Sequence, residues 1–170
     1  MIVNDRITDY LHSLESSQGV LLDTIEKAAL DGRVPIIRRE TASLLRTLVA
    51  ALKPSQILEI GTAVGYSALL MCQTMPRACH ITTIEKYEKR IPVARENFKK
   101  AGEESRITLL EGDADQLLGQ LEEGRFDLVF MDPPYDHGYE GQVLEYLAHS
   151  PMVSDETVFI IEASRETDFG

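Results

Sequence analysis

Cysteine is scarce in this chain, long apolar runs are missing, and the final third holds almost no basic residues. Cys72 and Cys79 are the only two cysteines, and neither has metal-ligand spacing to a His or another Cys. This excludes a disulfide framework and a zinc knot, and reduced thiols in a cytoplasmic protein are the expectation. No window of about 18 apolar residues exists, so no membrane span is expected. The first residues, MIVNDRITDY, mix acid and base in a helical pattern unlike a signal peptide. Internal repeats and low-complexity tracts are also lacking. With 170 residues, 44% hydrophobic and 26% charged, the chain fits one globular domain with a single core.

Basic charge is missing from one half only. Residues 1–110 hold 15 Lys/Arg against 13 Asp/Glu, and residues 111–170 hold 2 against 15, which together give the net charge of −11. So acidic a second half argues against broad electrostatic binding to nucleic acid. A local basic patch at Arg33, Arg38 and Arg39 remains, as candidates for phosphate contact or as solvated charges.

Apolar strands and amphipathic helices alternate. Ile7, Tyr10, Leu11 and Leu14 fall at helical spacing behind a candidate cap at Asn4, in a helix expected to run to about Gly19. Leu21, Leu22, Ile25, Ala28 and Ala29 predict a second helix closing at Asp31-Gly32. A third, buried through Leu44, Leu45, Leu48 and Val49, ends at Lys53-Pro54. Residues 1–53 are thus read as N-terminal helices and 54–170 as the core of one domain. Five strands follow, over Ile57–Ile60, His80–Glu85, the segment from Arg106, the segment ending at Asp132, and the segment from Thr157. Helical segments between them imply a parallel sheet covered on both faces, with ligands at the strands' carboxyl ends. Four of those ends are carboxylates: Glu85, Asp113, Asp132 and Glu162.

The remaining end is the stretch EIGTAVGYSALL, Glu59 to Leu70. Its glycines, Gly61 and Gly65, stand four apart with Ala63 between them, so the dinucleotide pattern G-x-G-x-x-G is absent. A glycine at 61 lets a ligand approach bare backbone, and one at 65 lets the chain turn into a helix whose first amides favour a polar group. Glu85, 24 positions on, can accept two ribose hydroxyls. Asp113 with Ala114 is placed to meet an adenine amino group or to cap the next helix; both roles stay open.

Residues 7–131 resemble the catechol-type O-methyltransferases that use S-adenosylmethionine (SAM). The matching stretches are PIIRRETASLL, ILEIGTAVGYSALLM, ITTIEKYEKRIPVARENFKKAG and ITLLEGDA, about three quarters of the chain. They look closest to the bacterial branch that methylates 5-hydroxyuridine in the tRNA wobble position. The resemblance implies an α/β, Rossmann-type class I methyltransferase fold with a mostly parallel sheet and N-terminal helices, here without the last strands. It also implies SAM held by Glu59, Gly61, Thr62, Gly65, Tyr66 and Ser67, with Glu85 on the ribose and Asp113-Ala114 near the adenine.

The family's metal-binding acids are only partly matched. Prolines follow Asp132, and Ala163 stands where an Asn is usual, so a divalent metal is doubtful and no metal residue is assigned. The segment from Phe126 to Phe169 instead resembles small-subunit rRNA guanine-N-methyltransferases. There Asp-Pro-Pro-Tyr, here Asp132 to Tyr135, orients an exocyclic amine while the aromatic ring stacks on the base. Asp132 and Tyr135 are therefore the catalytic candidates, Asp132 also touching the cofactor, and His137 is the one histidine near them. The expected activity is O-methylation of a tRNA or rRNA substrate. A small-molecule acceptor, an RNA amino-methyltransferase and a SAM-binding module without activity are the alternatives. An apolar last strand, Val158–Ile161, with an unpaired edge predicts homo-oligomers.

Overall fold

The computed structural model describes residues 5–14, 17–121, 126–133, 138–164 and 166–167. Asn4, Tyr135 and His137 lie outside them. Helices α1 (Asp5–Leu14), α2 (Val20–Asp31) and α3 (Arg39–Leu52) precede β1 (Gln56–Ile60). Then come α4 (Tyr66–Cys72), β2 (His80–Glu85), α5 (Ile91–Ala101), β3 (Ile107–Glu111), α6 (Ala114–Leu117), β4 (Leu128–Met131), α7 (Tyr139–Ala148) and β5 (Val158–Ile161).

All four strand pairings are parallel, in the order β3-β2-β1-β4-β5. Alternation along each strand feeds two apolar layers. Ile57, Ile81, Leu128 and Phe130 pack with Leu22, Leu45, Val49, Leu70 and Phe98 on one face. Leu58, Ile84, Val129 and Met131 pack with Leu118, Val143, Leu147 and Met152 on the other. The order reverses direction between β1 and β4, and in such sheets the crevice at that reversal receives the ligand. Among the described residues β5 is an edge strand, and its four residues are half-buried.

Local punctuation set several boundaries as the sequence implied. Pro92 sits in the first turn of α5, and Gly102 caps its other end in the left-handed conformation. Lys53, also left-handed, closes α3, and a three-residue link leads straight into β1. So short a link makes α3 run antiparallel to β1, which brings Arg38 and Arg39 to the carboxyl end of the sheet.

The N-terminal helices depart from expectation. α1 spans Asp5–Leu14 and does not reach Gly19, which instead leads into α2. There Asp23 reaches back to accept from Ser17 Oγ at 2.5 Å and from Gln18 N at 3.2 Å. Ile7, Tyr10 and Leu14 are 53%, 61% and 64% exposed, so this apolar face is not buried against the described residues. In α3 the buried stripe is Ala42, Leu45 and Val49, whereas Leu44 points outward; in α2 Ala28 is likewise exposed. Periodicity gave the right helices and most of their buried positions, Leu45 and Val49 on α3 and Leu22, Ile25 and Ala29 on α2; Leu44 falls outside the face, because apolar positions on α3 outnumber those its packing face admits. No helix among the described residues is long and apolar enough to cross a membrane.

Candidate functional site

The glycine loop between β1 and α4 is fastened from beneath. Glu59 is fully buried and accepts hydrogen bonds from Ser67 Oγ and Thr83 Oγ1, both at 2.5 Å. Thr83 and Thr62 share a further bond at 2.6 Å. A hydroxyl has one proton to give, and Thr83 gives its own to Glu59, so Thr62 is the donor to Thr83. β1, β2 and α4 are thereby locked around one carboxylate. Burial pushes the Glu59 carboxyl up from its ordinary 4.5 to about 7; the Ser67 and Thr83 bonds oppose the rise and Glu85 adds to it.

That displacement predicts a pH-dependent stability. Below about pH 4.5 Glu59 is neutral in folded and unfolded chains alike. Between about 4.5 and 7 the unfolded chain ionises while the fold keeps the proton, so stability falls as pH rises, by about 3 kcal/mol. Glu59→Gln carries no such proton. Its stability relative to the parent should improve by about that amount across this window in urea titrations. A difference independent of pH would refute the assignment.

Above the clamp the loop is open. Gly61 has φ 101°, and a Cβ built there meets no protein atom within 4 Å. Gly65, at φ 82°, is required for a second reason: a Cβ there would stand 2.4 Å from the Phe98 ring. Glu85 holds the rim, accepting from Ala63 N through one oxygen and Tyr87 N through the other, both at 2.7 Å. A carboxylate offers about four acceptor positions, so its capacity for two hydroxyls persists. Asn97, buried on α5, donates to Val64 O at 2.8 Å and fixes the loop from behind. Tyr66 departs from its assigned place: its hydroxyl donates to Gln18 before α2 at 2.7 Å, so its side chain supports the N-terminal segment.

Asp113 caps α6 by accepting from Asp115 N at 3.4 Å, with Ala114 opening the helix. It is also paired with Lys86 at 3.3 Å, and the Lys86 ammonium lies 5.2 Å from the Tyr139 ring centroid. Lys86 thus links the end of β2 to the start of α7. Asp132 follows β4, next to the end of β1. Burial, reinforced by Glu162 just after β5, pushes its carboxyl up to about 6, and Arg38 pulls in the opposite direction. Among the described residues no group of three or more His, Cys, Asp or Glu could hold a metal ion. A hard cation takes six or more oxygens, of which Asp132 and Glu162 offer only part, so no chemistry is assigned to a metal here.

The strand ends therefore assemble Glu59, Gly61, Thr62, Gly65 and Ser67 with Glu85, and place Asp113, Ala114 and Asp132 beside them. Thr83, Asn97, Phe98 and Lys86 were not legible as site residues. Thr83 stands opposite Glu59 in the parallel register, which the sequence does not set. Two surface depressions, one along α7 at Tyr146 and His149 and one between α2, α4 and α5 at Leu21, Cys72 and Lys100, hold none of the strand-end groups.

Comparison with known proteins bears on the family and the fold. A family model described as O-methyltransferase matches residues 14–159. A catechol O-methyltransferase of Niastella koreensis is 34% identical over 102 residues, covering 56% of this chain and 46% of its own length. One from Mycobacterium tuberculosis is 32% identical over 96 residues, covering 56% and 44%. This chain therefore spans less than half the length of these two relatives. An SAH-bound methyltransferase of Podospora anserina superposes with a TM-score of 0.82 at 29% identity, covering 93% of this chain and 68% of that one. With a five-stranded parallel sheet, a glycine loop at its reversal point and a family match over most of its length, this chain belongs to the O-methyltransferase family.

Proposed function

We propose that the chain binds SAM at the β1 loop and transfers its methyl group to an oxygen of a hydroxylated small molecule beside Asp132. The observation that carries this reading is the open space over Gly61, flanked by Glu85 and, across the sheet's reversal point, by Asp132. Gly61 leaves room for the cofactor's chain, and Glu85 accepts from its ribose. Asp113 and Ala114 border its adenine. When bound, SAM supplies a methyl group made electrophilic by its sulfonium. Asp132, with a carboxyl titrating near 6, is suited to accept the acceptor's hydroxyl proton near neutral pH.

The small acceptor is favoured by the relatives, two of which are named for catechol. The tRNA and rRNA acceptors implied by the sequence resemblance rest on that resemblance alone. The test is methyl transfer from labelled SAM to catechol, with and without chelator, against an RNA arm. Labelled O-methylated catechol supports the reading, and label in RNA alone refutes it. Loss of turnover on chelation, restored by magnesium, would put a cation at Asp132 and Glu162.

Self-association belongs to the same reading. On α1, Ile7, Tyr10 and Leu14 are exposed at helical spacing. Light scattering should show dimers or larger species; a strict monomer at high concentration would count against this surface.

A further inference from the structure

The first turn of α7 is held from outside the helix. Gly138 opens it with no side chain to cap it, and the bond that closes the turn, Gln142 N to Gly138 O, is long at 3.3 Å. Two side-chain contacts support it. Glu140, 2% exposed, accepts from Thr167 Oγ1, beyond β5, at 3.1 Å. Tyr139 presents its ring to the Lys86 ammonium, which lies 5.2 Å from the centroid and 3.3 Å from Asp113 Oδ2. The turn is therefore tied to the chain after β5 and, through Lys86, to the ends of β2 and β3. It also receives the stretch that leaves β4 at Asp132.

The Lys86 tie is wet. The Lys86 and Asp113 side chains are 57% and 41% exposed, so water weakens both the ion pair and the cation–ring contact. On the methyl-transfer reading, on which this inference rests, the adenine borders Asp113. That carboxylate accepts from Asp115 N through one oxygen and meets Lys86 through the other. It offers about four acceptor positions, so an adenine amino group can join without displacing Lys86. A base lying there also removes water, and both of the ammonium's contacts strengthen as water leaves. We propose that Lys86 is a positioning residue that carries cofactor occupancy to the acceptor side, by tightening on Tyr139 and so ordering the first turn of α7 and the stretch from Asp132 that enters it. The two halves of the site are then coupled through one ammonium.

The test is amide hydrogen exchange over residues 138–148 with and without saturating SAH, alongside calorimetric affinities for SAH and catechol. In the parent, SAH should slow exchange in the first turn of α7 by about fivefold and tighten catechol by a similar factor. Lys86→Met keeps the apolar stem without the charge. It should bind SAH within about twofold of the parent, since an exposed pair adds little by itself, yet lose both effects. Lys86→Arg should keep them. Tyr139→Leu should lose them as well, with no further loss when combined with Lys86→Met. Salt at about 0.5 M should shrink both effects in the parent by screening the pair. Slowing of equal size in the parent and in Lys86→Met, or none in the parent, overturns the proposal. So does a large loss of SAH affinity in Lys86→Met, which would make Lys86 a cofactor ligand. A Lys86-dependent exchange response with catechol neither bound nor methylated would uphold the coupling while refuting the methyl-transfer reading; methylated catechol with a response indifferent to Lys86 would do the reverse.

Discussion

Gly61→Val should give a folded protein that has lost SAM binding by more than about a hundredfold. The added Cβ meets no protein atom within 4 Å, so the core beneath the loop is not crowded by it, and the left-handed backbone adds strain of about 1–2 kcal/mol. What it fills is the space above the loop. Gly65→Ala should fail differently. Its methyl runs into a Phe98 ring that is itself 3% exposed and has nowhere to go, so the expected loss is of stability first. Glu85→Ala should weaken binding by roughly 1–3 kcal/mol through lost charge-assisted bonds. Calorimetry with SAM and thermal melts on all three variants separate these cases. Retained affinity in Gly61→Val would overturn the site.

Asp132→Asn should lower turnover by about two to four orders of magnitude while leaving the SAM affinity within a few fold. The amide keeps the shape and one acceptor oxygen but cannot take a proton. In the parent, turnover should fall as pH drops through about 6, where the Asp132 carboxyl becomes neutral, and should plateau above it. Single-turnover rates from pH 5 to 8 test this directly. A pH-independent rate, or an active Asn variant, would remove Asp132 from the proton's path and leave it an orienting role.

The parts of this fold readable in advance were those encoded by neighbours in sequence. β2 runs over His80–Glu85 as the apolar run implied, and α5 lies between its proline and its glycine because both act within one turn. The carboxylate ends were readable for the same reason. Leu44 was not, since its exposure depends on which side of α3 meets the sheet, a tertiary choice. Glu59 was assigned to the cofactor, yet both its oxygens bond to Ser67 and Thr83, the second on another strand, and no spacing rule reaches across a register. Arg38 was legible as a charge but not as one felt at Asp132, 94 positions away.

The glycine loop takes its shape from residues on several other elements: Thr83 and Glu85 from β2, Asn97 and Phe98 from α5, each in contact with it. β1 and α4 alone supply none of these. A nascent chain that has emerged only through α4 therefore holds the motif without its conformation. Competence to bind a ligand arrives late, when β2 has paired and α5 has docked, and it arrives all at once. Cofactor binding should accordingly draw its free energy from the assembled sheet as a whole, so that SAM reports on completed folding and does not template it.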